Sequence, residues 1–557
     1  MKAIKYIPLL LTALLLALAL VSCEKKDQSG GDSSDDEYAY RLNDLGEASI
    51  LRYKAKEANV VIPSEINGHK VTSIADCAFF NNTLITNVTL PAGVTKIGKS
   101  AFEGCTSLED VIIPKSVEVI SQKAFYNCIK LKNLVIEPGS ALKEVDDNSF
   151  YACKNLKSTE YGNAKYLPVG EALFDILLSA VDSSITEATI HPDTRIINSK
   201  AFSKCSSITE ITIPEKVEFI GNGAFYGCTK LDTIYFNAIS AYDLAETANV
   251  FERVGTTSAV MTLHVGERVK RVPAYLMYGA SMLRYIRFDE NTNCESIGKS
   301  AFYGTSIEEA TLPHKLKTIE DYAFAECSYL KKITLNSEKL SDLASDNKIF
   351  SNSGTGSGGV TLVLGRESRR IPAYFCTSLN RMLYAVKFEN NAITSSFGKN
   401  AFLDCNSILR VDMTDRKEWC ESNFENEYSN PLCYGNAILY VSSKEVTEGF
   451  ALTDVIDFIA DYAFIGYKYM EKIIIPETVT YIGTKAFYGV DKLNHIYWGG
   501  NELEWEELEI KDGNSVLNTG TVYFHRPEEL GAPIVAGNFW YLGKDGTPRI
   551  WRNVITN

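Results

Sequence analysis

Hydrophobic and polar positions alternate along most of the chain in one recurring pattern. It is clearest at residues 211–231, ITIPEKVEFIGNGAFYGCTKL, which follow I-x-I-P-x-x-V-x-x-I-G-x-x-A-F-x-x-C-x-x-L. The same pattern is present at residues 111–131 and 473–493. The dipeptide Ala-Phe at its centre occurs ten times, and five of the intervals between neighbouring copies are 22 or 23 residues. A fixed period of this length is typical of repeat proteins.

Each position of the pattern predicts a structural role. The Ile-x-Ile alternation predicts a short strand with two inward side chains, and the Pro that follows ends it because proline cannot donate to a ladder. The Val and Ile three residues apart predict a buried return path, and the Gly is interpreted as the turn residue before Ala-Phe. The Phe is predicted to fill the centre of the coil. One such unit cannot enclose a core alone, so the pattern predicts a solenoid of stacked coils.

Degenerate copies fill most of the intervals between the clear ones. Ser149-Phe150 stands where Ala-Phe is expected. Residues 250–302 and 349–402 form a longer matched pair, in which Phe, Arg and Pro recur 99 positions apart. A larger unit was therefore duplicated as well as the single repeat.

With these copies, the pattern resembles the BspA-type leucine-rich repeat, a family of bacterial surface proteins. The resemblance implies a leucine-rich-repeat solenoid, a right-handed superhelix of ~23-residue coils with short parallel strands, turns and short helical segments. Leucine-rich repeats are expected at residues 38–410. A non-repeat interruption, common in the family, is expected at residues 411–450, followed by further repeats and a cap at 451–525. Residues 526–557 resemble the family's closing segment.

The N-terminus predicts export and a lipid anchor. Lys2 and Lys5 precede an apolar run over residues 9–21 that is too short to span a bilayer, so residues 1–22 are predicted to be a signal peptide. Its ending, LVSC, resembles a lipobox, which implies that Cys23 carries the lipid. A plain secretory signal with an incidental cysteine is the alternative.

Residues 23–37 are predicted to be a flexible tether, because they are charged and rich in Gly and Ser. Their early charged residues loosely resemble signals that send Bacteroidetes lipoproteins to the outer face. The predicted location is therefore the outer membrane, with the folded part at the cell surface. The formal net charge of −14 and the absence of a long Lys/Arg run predict that nucleic acid is not a partner.

One stretch matches a phosphate-binding expression, and its context argues against that function. Residues 93–100, GVTKIGKS, fit G-x-x-x-x-G-K-[ST]. A phosphate-binding loop opens a long helix, whereas here Val94 and Ile97 hold the buried positions of the repeat. The equivalent stretch VTYIGTKA at 479–486 has the same framework without the match. The segment is therefore interpreted as packing.

Most of the thirteen cysteines also follow the repeat. Seven stand three residues after the repeat Phe, where other coils have Thr, Tyr or Val, so they are interpreted as small buried side chains. They are Cys105, Cys128, Cys153, Cys205, Cys228, Cys327 and Cys405. Cys420 and Cys433, in the interruption, are the better disulfide candidates. The six His show no metal-ligand spacing, and no catalytic motif is present, so no cofactor, metal site or enzymatic activity is predicted.

Ligand binding is predicted on outward-facing strand positions, which line up in columns in a solenoid. Most of these positions hold ordinary strand-forming residues. The exceptions are residue types enriched in interface hot spots, and these are the candidate ligand-binding residues: Tyr235, Tyr285, Arg287, Lys387, Arg410 and Tyr497.

The sequence leaves two functions open. A third hypothesis, a hydrolase, has no supporting motif. The first is a cell-surface lipoprotein that acts as an adhesin or interaction surface for host matrix proteins, other cells or mucosal ligands, as the resemblance implies. The second is a surface glycan-binding accessory protein of a polysaccharide uptake system. Glycan binding would require exposed aromatic platforms, and many of the 30 Tyr occupy positions next to the predicted core.

Overall fold

The structure, a computed structural model, describes residues 33–146, 148–258, 260–446, 449–452, 455–533 and 537–551. The described chain forms two compact units, one up to residue 258 and one from residue 260. Both are β-solenoids, with about 20 turns in all at ~23-residue spacing, which confirms the predicted fold class. Residues 1–22 and Cys23 lie outside the described residues. Within the described part, no helix is long and apolar enough to cross a membrane.

The first unit contains nineteen short strands among its described residues. They are β1 (Ser33–Ser34), β2 (Tyr38–Leu42), β3 (Ala48–Tyr53), β4 (Asn59–Val61), β5 (Glu65–Ile66), β6 (His69–Ile74), β7 (Asn87–Thr89), β8 (Lys96–Ile97), β9 (Asp110–Ile113), β10 (Val119–Ile120), β11 (Asn133–Ile136), β12 (Glu144–Val145), β13 (Thr159–Tyr161), β14 (Ala164–Val169), β15 (Ala172–Ala180), β16 (Ile196–Ile197), β17 (Glu210–Ile213), β18 (Phe219–Ile220) and β19 (Thr233–Phe236).

The second unit continues in the same style. Its strands are β20 (Met261–Val265), β21 (Arg271–Val272), β22 (Leu283–Phe288), β23 (Ser296–Ile297), β24 (Glu309–Leu312), β25 (Thr318–Ile319), β26 (Lys332–Leu335), β27 (Val360–Leu364), β28 (Arg370–Ile371), β29 (Leu383–Phe388), β30 (Ser396–Phe397), β31 (Arg410–Met413), β32 (Asn423–Phe424), β33 (Ile438–Val441), β34 (Lys444–Val446), β35 (Gly449–Ala451), β36 (Phe458–Ile459), β37 (Lys472–Ile475), β38 (Tyr481–Ile482), β39 (His495–Trp498), β40 (Glu509–Ile510), β41 (Thr521–His525), β42 (Phe539–Leu542) and β43 (Pro548–Ile550). Helices are few and short: α1 (Arg416–Cys420), α2 (Glu502–Glu507), α3 (Val516–Thr519) and the 3-10 helices Thr377–Leu379, Glu427–Ser429 and Glu528–Leu530.

Each regular coil contributes two strands. The predicted Ile-x-Ile strand pairs in parallel with its counterpart one coil away, as Ile211 of β17 does with Ile234 of β19. The end of the V-x-x-I segment forms a second strand of two residues, as in β16 and β18. The sequence predicted a buried return path here but not a strand, because two residues are too few to show a period.

The sheets follow from this stacking. In the first unit, one sheet has the order β1-β2-β3-β6-β8-β10-β12 with β5 beside β6, and another has the order β4-β7-β9-β11-β14-β15-β16-β18 with β13 beside β14. In the second unit, the longer strands form β20-β22-β24-β26-β27-β29-β31-β33-β34 and β35-β37-β39-β41-β42-β43. Its two-residue strands form β21-β23-β25, β28-β30-β32 and β36-β38-β40.

The repeat phenylalanines form stacks through the core. The rings of Phe79, Phe102 and Phe125 lie 4.7 and 5.2 Å apart between centroids, with interplanar angles of 15° and 3°. Phe102 and Phe125 have no exposed surface. Each ring therefore contacts the ring of the next coil, so the coils share one core and cannot be stable singly.

The glycine before Ala-Phe is required by close approach between coils, which corrects its interpretation as a turn residue. A Cβ built on Gly221 would lie 2.2 Å from the backbone nitrogen of Ser199 in the preceding coil. At Gly98 it would lie 2.6 Å from the backbone of Ala75. The left-handed turn conformations belong instead to neighbouring residues such as Ser100, with φ of 54°.

Two predicted boundaries change. Ser33 and Ser34, within the predicted tether, pair antiparallel with β2, and the Asp35 carboxylate accepts hydrogen bonds from two backbone N–H groups. The predicted interruption at 411–450 contains a complete coil, because β32 pairs in parallel with β30 and β33 with β31. Its pattern was not visible because Phe424, which stacks on Phe397 at 4.6 Å, stands at the position of the repeat Ile, and no Ala-Phe dipeptide follows it.

Candidate functional site

The predicted outward positions do form columns. Lys387 is in register with Asp412, and Asp412 with Tyr440, across β29, β31 and β33. Thr311 pairs in the same way with Thr334. Successive side chains of a strand point to opposite faces. Because the residues between these positions are buried, the side chains at these positions point towards solvent. We call the solvent side of the sheet β20–β34 the display face.

The most organised part of the display face surrounds Arg410. Its guanidinium donates to both carboxylate oxygens of Asp412, at 2.7 and 2.8 Å, and lies 3.9 Å from the centre of the Tyr440 ring. Lys387 Nζ is 3.9 Å from the same carboxylate. The hydrogen bonds that Arg410 donates to Asp412 raise the pKa of Arg410, which therefore stays charged. The cluster holds a planar cation and an aromatic ring at fixed positions, as interface hot spots do.

A second aromatic–cation pair lies on β22 of the same sheet. The Arg287 guanidinium is 5.2 Å from the centre of the Tyr285 ring, within the range of a cation–π interaction. Tyr285 is in register with Glu309 of β24, whose carboxylate is 2.6 Å from Lys332 Nζ on β26. Four of the six candidate residues thus lie on the display face: Tyr285, Arg287, Lys387 and Arg410.

The other two candidates have different environments. Tyr235 lies on β19 in the first unit and has 37% of its surface exposed. Tyr497 is only 3% exposed, which corrects its assignment to an outward binding column. The Trp540 ring of the closing segment packs against it edge to face at 5.5 Å, and Trp540 Nε1 donates to the Trp498 carbonyl at 2.7 Å. Tyr497 is therefore part of the C-terminal cap.

The long-stranded sheet of the first unit carries a different surface. One of its columns has amide and carboxylate side chains, and Asn133 donates to Asp110 at 2.5 Å. The other column is largely aliphatic and exposed, at Val61, Ile112 and Val135. No aromatic–cation pair occurs at these positions. They are strand-forming residues that need no ligand to explain them.

The repeat cysteines have a structural role in hydrogen bonding. The thiols of Cys105, Cys128 and Cys153 each donate at 3.1 Å to the carbonyl of the repeat Phe one coil earlier. Ser353, at the same repeat position, donates to the Phe324 carbonyl at 2.5 Å. The position therefore favours a small side chain with a hydrogen-bond donor. The repeat cysteines were predicted only to be small buried side chains, and the hydrogen bond is an additional role. Cys420 and Cys433 are free thiols, so the disulfide hypothesis for them is wrong.

The segment with the phosphate-binding expression folds as a repeat coil. Val94 and Ile97 are fully buried, and Lys96–Ile97 is the strand β8. Lys99 N–H donates to the Asp76 carboxylate in the preceding coil, and Ser100 donates to Glu103. The backbone and hydroxyl that would hold a phosphate are thus occupied by internal contacts.

Half-buried tyrosines, and the exposed Tyr151, stack on one another along the turns. Tyr126 and Tyr151 lie 5.3 Å apart with an angle of 16°, and Tyr278 and Tyr303 lie 4.9 Å apart with an angle of 13°. In this arrangement each ring covers one face of its neighbour. A sugar ring that stacks on a tyrosine needs such a face. These pairs therefore offer fewer accessible ring faces than the number of tyrosines in the sequence suggested.

Sequence reasoning missed Tyr440, because it was placed in the interruption. The signal was present: Ile438 to Val441 alternates inward and outward as β9 does. Reasoning from the sequence also missed residues 157–190, which hold no copy of the repeat motif. There the chain forms the hairpin β14–β15, with five register positions between its strands.

The comparison with protein families agrees with this geometry. The model of the BspA type leucine rich repeat region matches residues 54–175, 180–249, 247–358 and 442–506. A leucine-rich repeat protein from Bacteroides ovatus is 19% identical, with 86% of this chain and 100% of that chain covered and a TM-score of 0.30. A leucine rich cell surface protein from Faecalibacterium prausnitzii is 18% identical, with 86% and 98% covered and a TM-score of 0.19.

A third solved structure, the pneumococcal vaccine antigen PcpA, is 14% identical, with 90% of this chain and 95% of that chain covered and a TM-score of 0.19. The comparison with curated proteins finds no match.

Proposed function

Because the chain belongs to the BspA-type leucine-rich repeat family, we propose that it is a cell-surface adhesin. It binds extracellular proteins through its display face. The candidate partners are host matrix proteins, proteins of other cells and mucosal proteins. The observation that carries the proposal is the cluster of Lys387, Arg410, Asp412 and Tyr440, in which a guanidinium is held over an aromatic ring on an exposed sheet.

The electrostatics of the display face support a protein partner. Its cations are matched by carboxylates: Glu309 is 2.6 Å from Lys332, and Asp412 is 2.7 Å from Arg410. A surface with both signs interspersed selects a partner by complementary pairs and rejects one with misplaced like charges. A polyanion such as nucleic acid would meet the Glu309 and Asp412 carboxylates on this face.

The proposal is tested with the full chain and a panel of purified extracellular matrix proteins, mucin and a glycan array. We expect saturable binding to at least one protein. The variant Lys387→Gln/Arg410→Gln is expected to weaken that binding by about tenfold or more, because it removes two cations at the centre of the cluster. The glutamine at position 410 is expected to donate a hydrogen bond to Asp412, so the fold should be retained.

A matched control removes the same charge elsewhere. Lys299 and Lys399 are exposed in turns that follow the two-residue strands of the same unit. The variant Lys299→Gln/Lys399→Gln should bind like the unaltered chain. An equal loss in both variants would contradict the assignment of the display face. Saturable binding to glycans without any protein partner would contradict the adhesin itself and favour the glycan-uptake alternative.

We also propose that Cys23 anchors the protein to the outer membrane by a lipid, with the solenoid at the cell surface. Support comes from the lipobox-like ending LVSC after an apolar run. The variant Cys23→Ala is expected to move the protein from the membrane fraction to the soluble fraction, since two or more acyl chains are needed for stable anchoring. Unchanged partitioning, seen by immunoblotting of both fractions, would count against the anchor.

A further inference from the structure

A groove in the second unit runs across the turns of three consecutive coils. Its lining residues lie in the segments 345–355, 377–382 and 403–404, which precede β27, β29 and β31. The groove has a volume of about 380 Å³, within the usual range for ligand sites. We call it the polar groove. We propose that the polar groove binds an oligosaccharide, which is a second ligand of the chain beside the protein partner of the display face.

The lining of the polar groove differs from that of most ligand sites. Binding pockets are usually lined by apolar side chains with a few polar groups. Of the fourteen residues around the polar groove, only Met382 and Leu403 are apolar. A ligand that fills it must therefore form hydrogen bonds over most of its surface, because polar groups that are buried without partners cost free energy. A saccharide, with a hydroxyl on most of its carbons, meets this requirement.

Four exposed charged side chains line the groove and are available to a ligand. They are Asp346, Lys348, Arg381 and Asp404. Within the described part of the chain, none of the four side chains takes part in an ion pair or a hydrogen bond. The nearby Arg370, by contrast, is paired with two carboxylates. The charges around the groove therefore do not neutralise one another through direct contacts.

This set of charges favours a neutral ligand with many hydroxyls. Two cations and two carboxylates leave the groove without net charge, so neither an acidic nor a basic ligand is preferred. A hydroxyl donates one hydrogen bond and accepts two, so a saccharide can donate to the carboxylates and accept from the cations. Such hydrogen bonds to charged groups are roughly twice as strong as those between neutral groups.

The base of the groove is preformed, which lowers the entropic cost of binding. Asn347, only 6% exposed, donates to the Thr377 hydroxyl at 3.0 Å and accepts from the Ser378 hydroxyl at 3.2 Å. The Thr377 hydroxyl donates to the Tyr374 carbonyl at 2.8 Å, and the Phe350 N–H donates to the Ser378 hydroxyl at 3.2 Å. Each hydroxyl thus donates once and accepts once. Each keeps one lone pair for a hydrogen bond from the ligand.

The duplicated unit shows how the groove arises. Thr377 stands 99 residues after Tyr278, at the spacing of the matched pair, and Leu403 follows the repeat Phe as Tyr303 does. In the first copy, the rings of Tyr278 and Tyr303 stack on each other at 4.9 Å. In the second copy, the smaller Thr377 and Leu403 line the polar groove. The replacement of two tyrosines therefore leaves space that a ligand can fill.

The groove also offers apolar contacts to a sugar ring. Glycan binding was expected to need an exposed aromatic platform. In the polar groove, Met382 and Leu403 are the side chains on which the C–H groups of a pyranose ring can pack. They offer less contact area than a tyrosine ring, so most of the affinity is expected to come from hydrogen bonds.

The test screens the full chain on an array of oligosaccharides and then measures the affinity for one that binds by isothermal titration calorimetry. We expect saturable binding to at least one oligosaccharide. The variant Thr377→Tyr/Leu403→Tyr should weaken it by about tenfold or more, because it restores the two tyrosines of the first copy and removes the bonds to the base. No binding to any oligosaccharide would overturn the proposal.

A second variant tests the charged side chains without filling the groove. Asp346→Asn/Arg381→Gln keeps the net charge, and both side chains are exposed and without internal partners, so the fold should be retained. Its affinity is also expected to fall by about tenfold or more, because hydrogen bonds to charged groups are lost. Unchanged affinity of this variant would overturn the proposal.

The matched control makes the reverse exchange in the first copy. The variant Tyr278→Thr/Tyr303→Leu should bind the oligosaccharide like the unaltered chain. A loss equal to that of Thr377→Tyr/Leu403→Tyr would show that the groove is not the site.

A peptide is the other ligand class with both donors and acceptors. A mixture of random tetrapeptides at the same concentration should not displace the oligosaccharide. Displacement by the peptides would overturn the choice of a carbohydrate.

The polar groove does not depend on the function proposed for the display face. The variant Lys387→Gln/Arg410→Gln should bind the oligosaccharide with unchanged affinity, and Asp346→Asn/Arg381→Gln should bind the protein partner like the unaltered chain. Failure of one proposal is therefore distinguishable from failure of the other.

Discussion

The free energy of unfolding of the first unit is expected to fall by about 3–4 kcal/mol between pH 7 and pH 9.5 because its repeat thiols are buried. Burial raises the pKa of Cys105 to about 12 and that of Cys205 to about 11. The pKa of Cys128 is raised by its hydrogen bond with Cys153 and by burial, and burial raises that of Cys228. The four thiols therefore stay protonated in the folded unit well above the pH at which the unfolded chain releases their protons.

The free energy of unfolding therefore falls as the pH rises. Below pH 9 both states hold these protons, and the stabilisation is fully present. As the pH rises from 9 towards the folded pKa, only the unfolded chain loses protons, so the stabilisation is lost. Each thiol contributes about 1 kcal/mol of this loss at pH 9.5. Urea unfolding at both pH values measures it.

The matched variant is Cys105→Ser/Cys128→Ser/Cys228→Ser, because Ser353 already shows that a hydroxyl satisfies the same carbonyl position. Its loss between pH 7 and pH 9.5 should be only about 1 kcal/mol, from the remaining thiol. The quantity compared is the change in the free energy of unfolding between pH 7 and pH 9.5. An effect of the substitutions on stability at pH 7 cancels in this difference. Equal losses in the variant and the unaltered chain would show that the thiols are not responsible.

Replacing Arg195 by alanine is expected to cost the first unit about 3–5 kcal/mol. Its side chain is 22% exposed, and that of its partner Asp175 only 13%. Without the guanidinium, the Asp175 carboxylate remains in a largely buried position with no cation, and the Leu142 carbonyl loses its donor. Glu218, the second partner, loses its ion pair as well.

The control for Arg195→Ala is Lys216→Ala, which removes another cation of the same unit. Lys216 and its partner Asp193 are 66% and 57% exposed, so their ion pair should contribute less than about 1 kcal/mol. Urea unfolding at pH 7 compares the two variants. If the two losses were similar and small, Arg195 would form a surface ion pair and not a largely buried one.

The regular coils could be predicted from the sequence because one packing rule recurs in them. The inward Ile-x-Ile, the central Phe and the outward columns follow from a period that each copy repeats, and Lys387 and Asp412 do lie in one column. The same period identified the phosphate-binding expression and most cysteines as packing. These inferences depend only on contacts between neighbouring coils, which the period encodes.

Features that depend on contacts outside the repeat could not be predicted. Tyr497 occupies an outward position, but the closing segment brings Trp540 over it from more than forty residues away. The hydrogen bond from Arg195 to the Leu142 carbonyl spans 53 residues, and no local pattern signals that contact. The role of Gly221 was missed for a related reason, since its neighbour Ser199 lies in another coil.

The proposal that the display face is the binding surface is tested most directly by cross-linking mass spectrometry. The full chain is joined by a lysine-reactive reagent to the matrix protein or mucin that it binds in the panel. We expect intermolecular links from Lys332 and Lys387, which lie on β26 and β29 of the display face. Links confined to Lys299 and Lys399, in the turns after the two-residue strands, would contradict it.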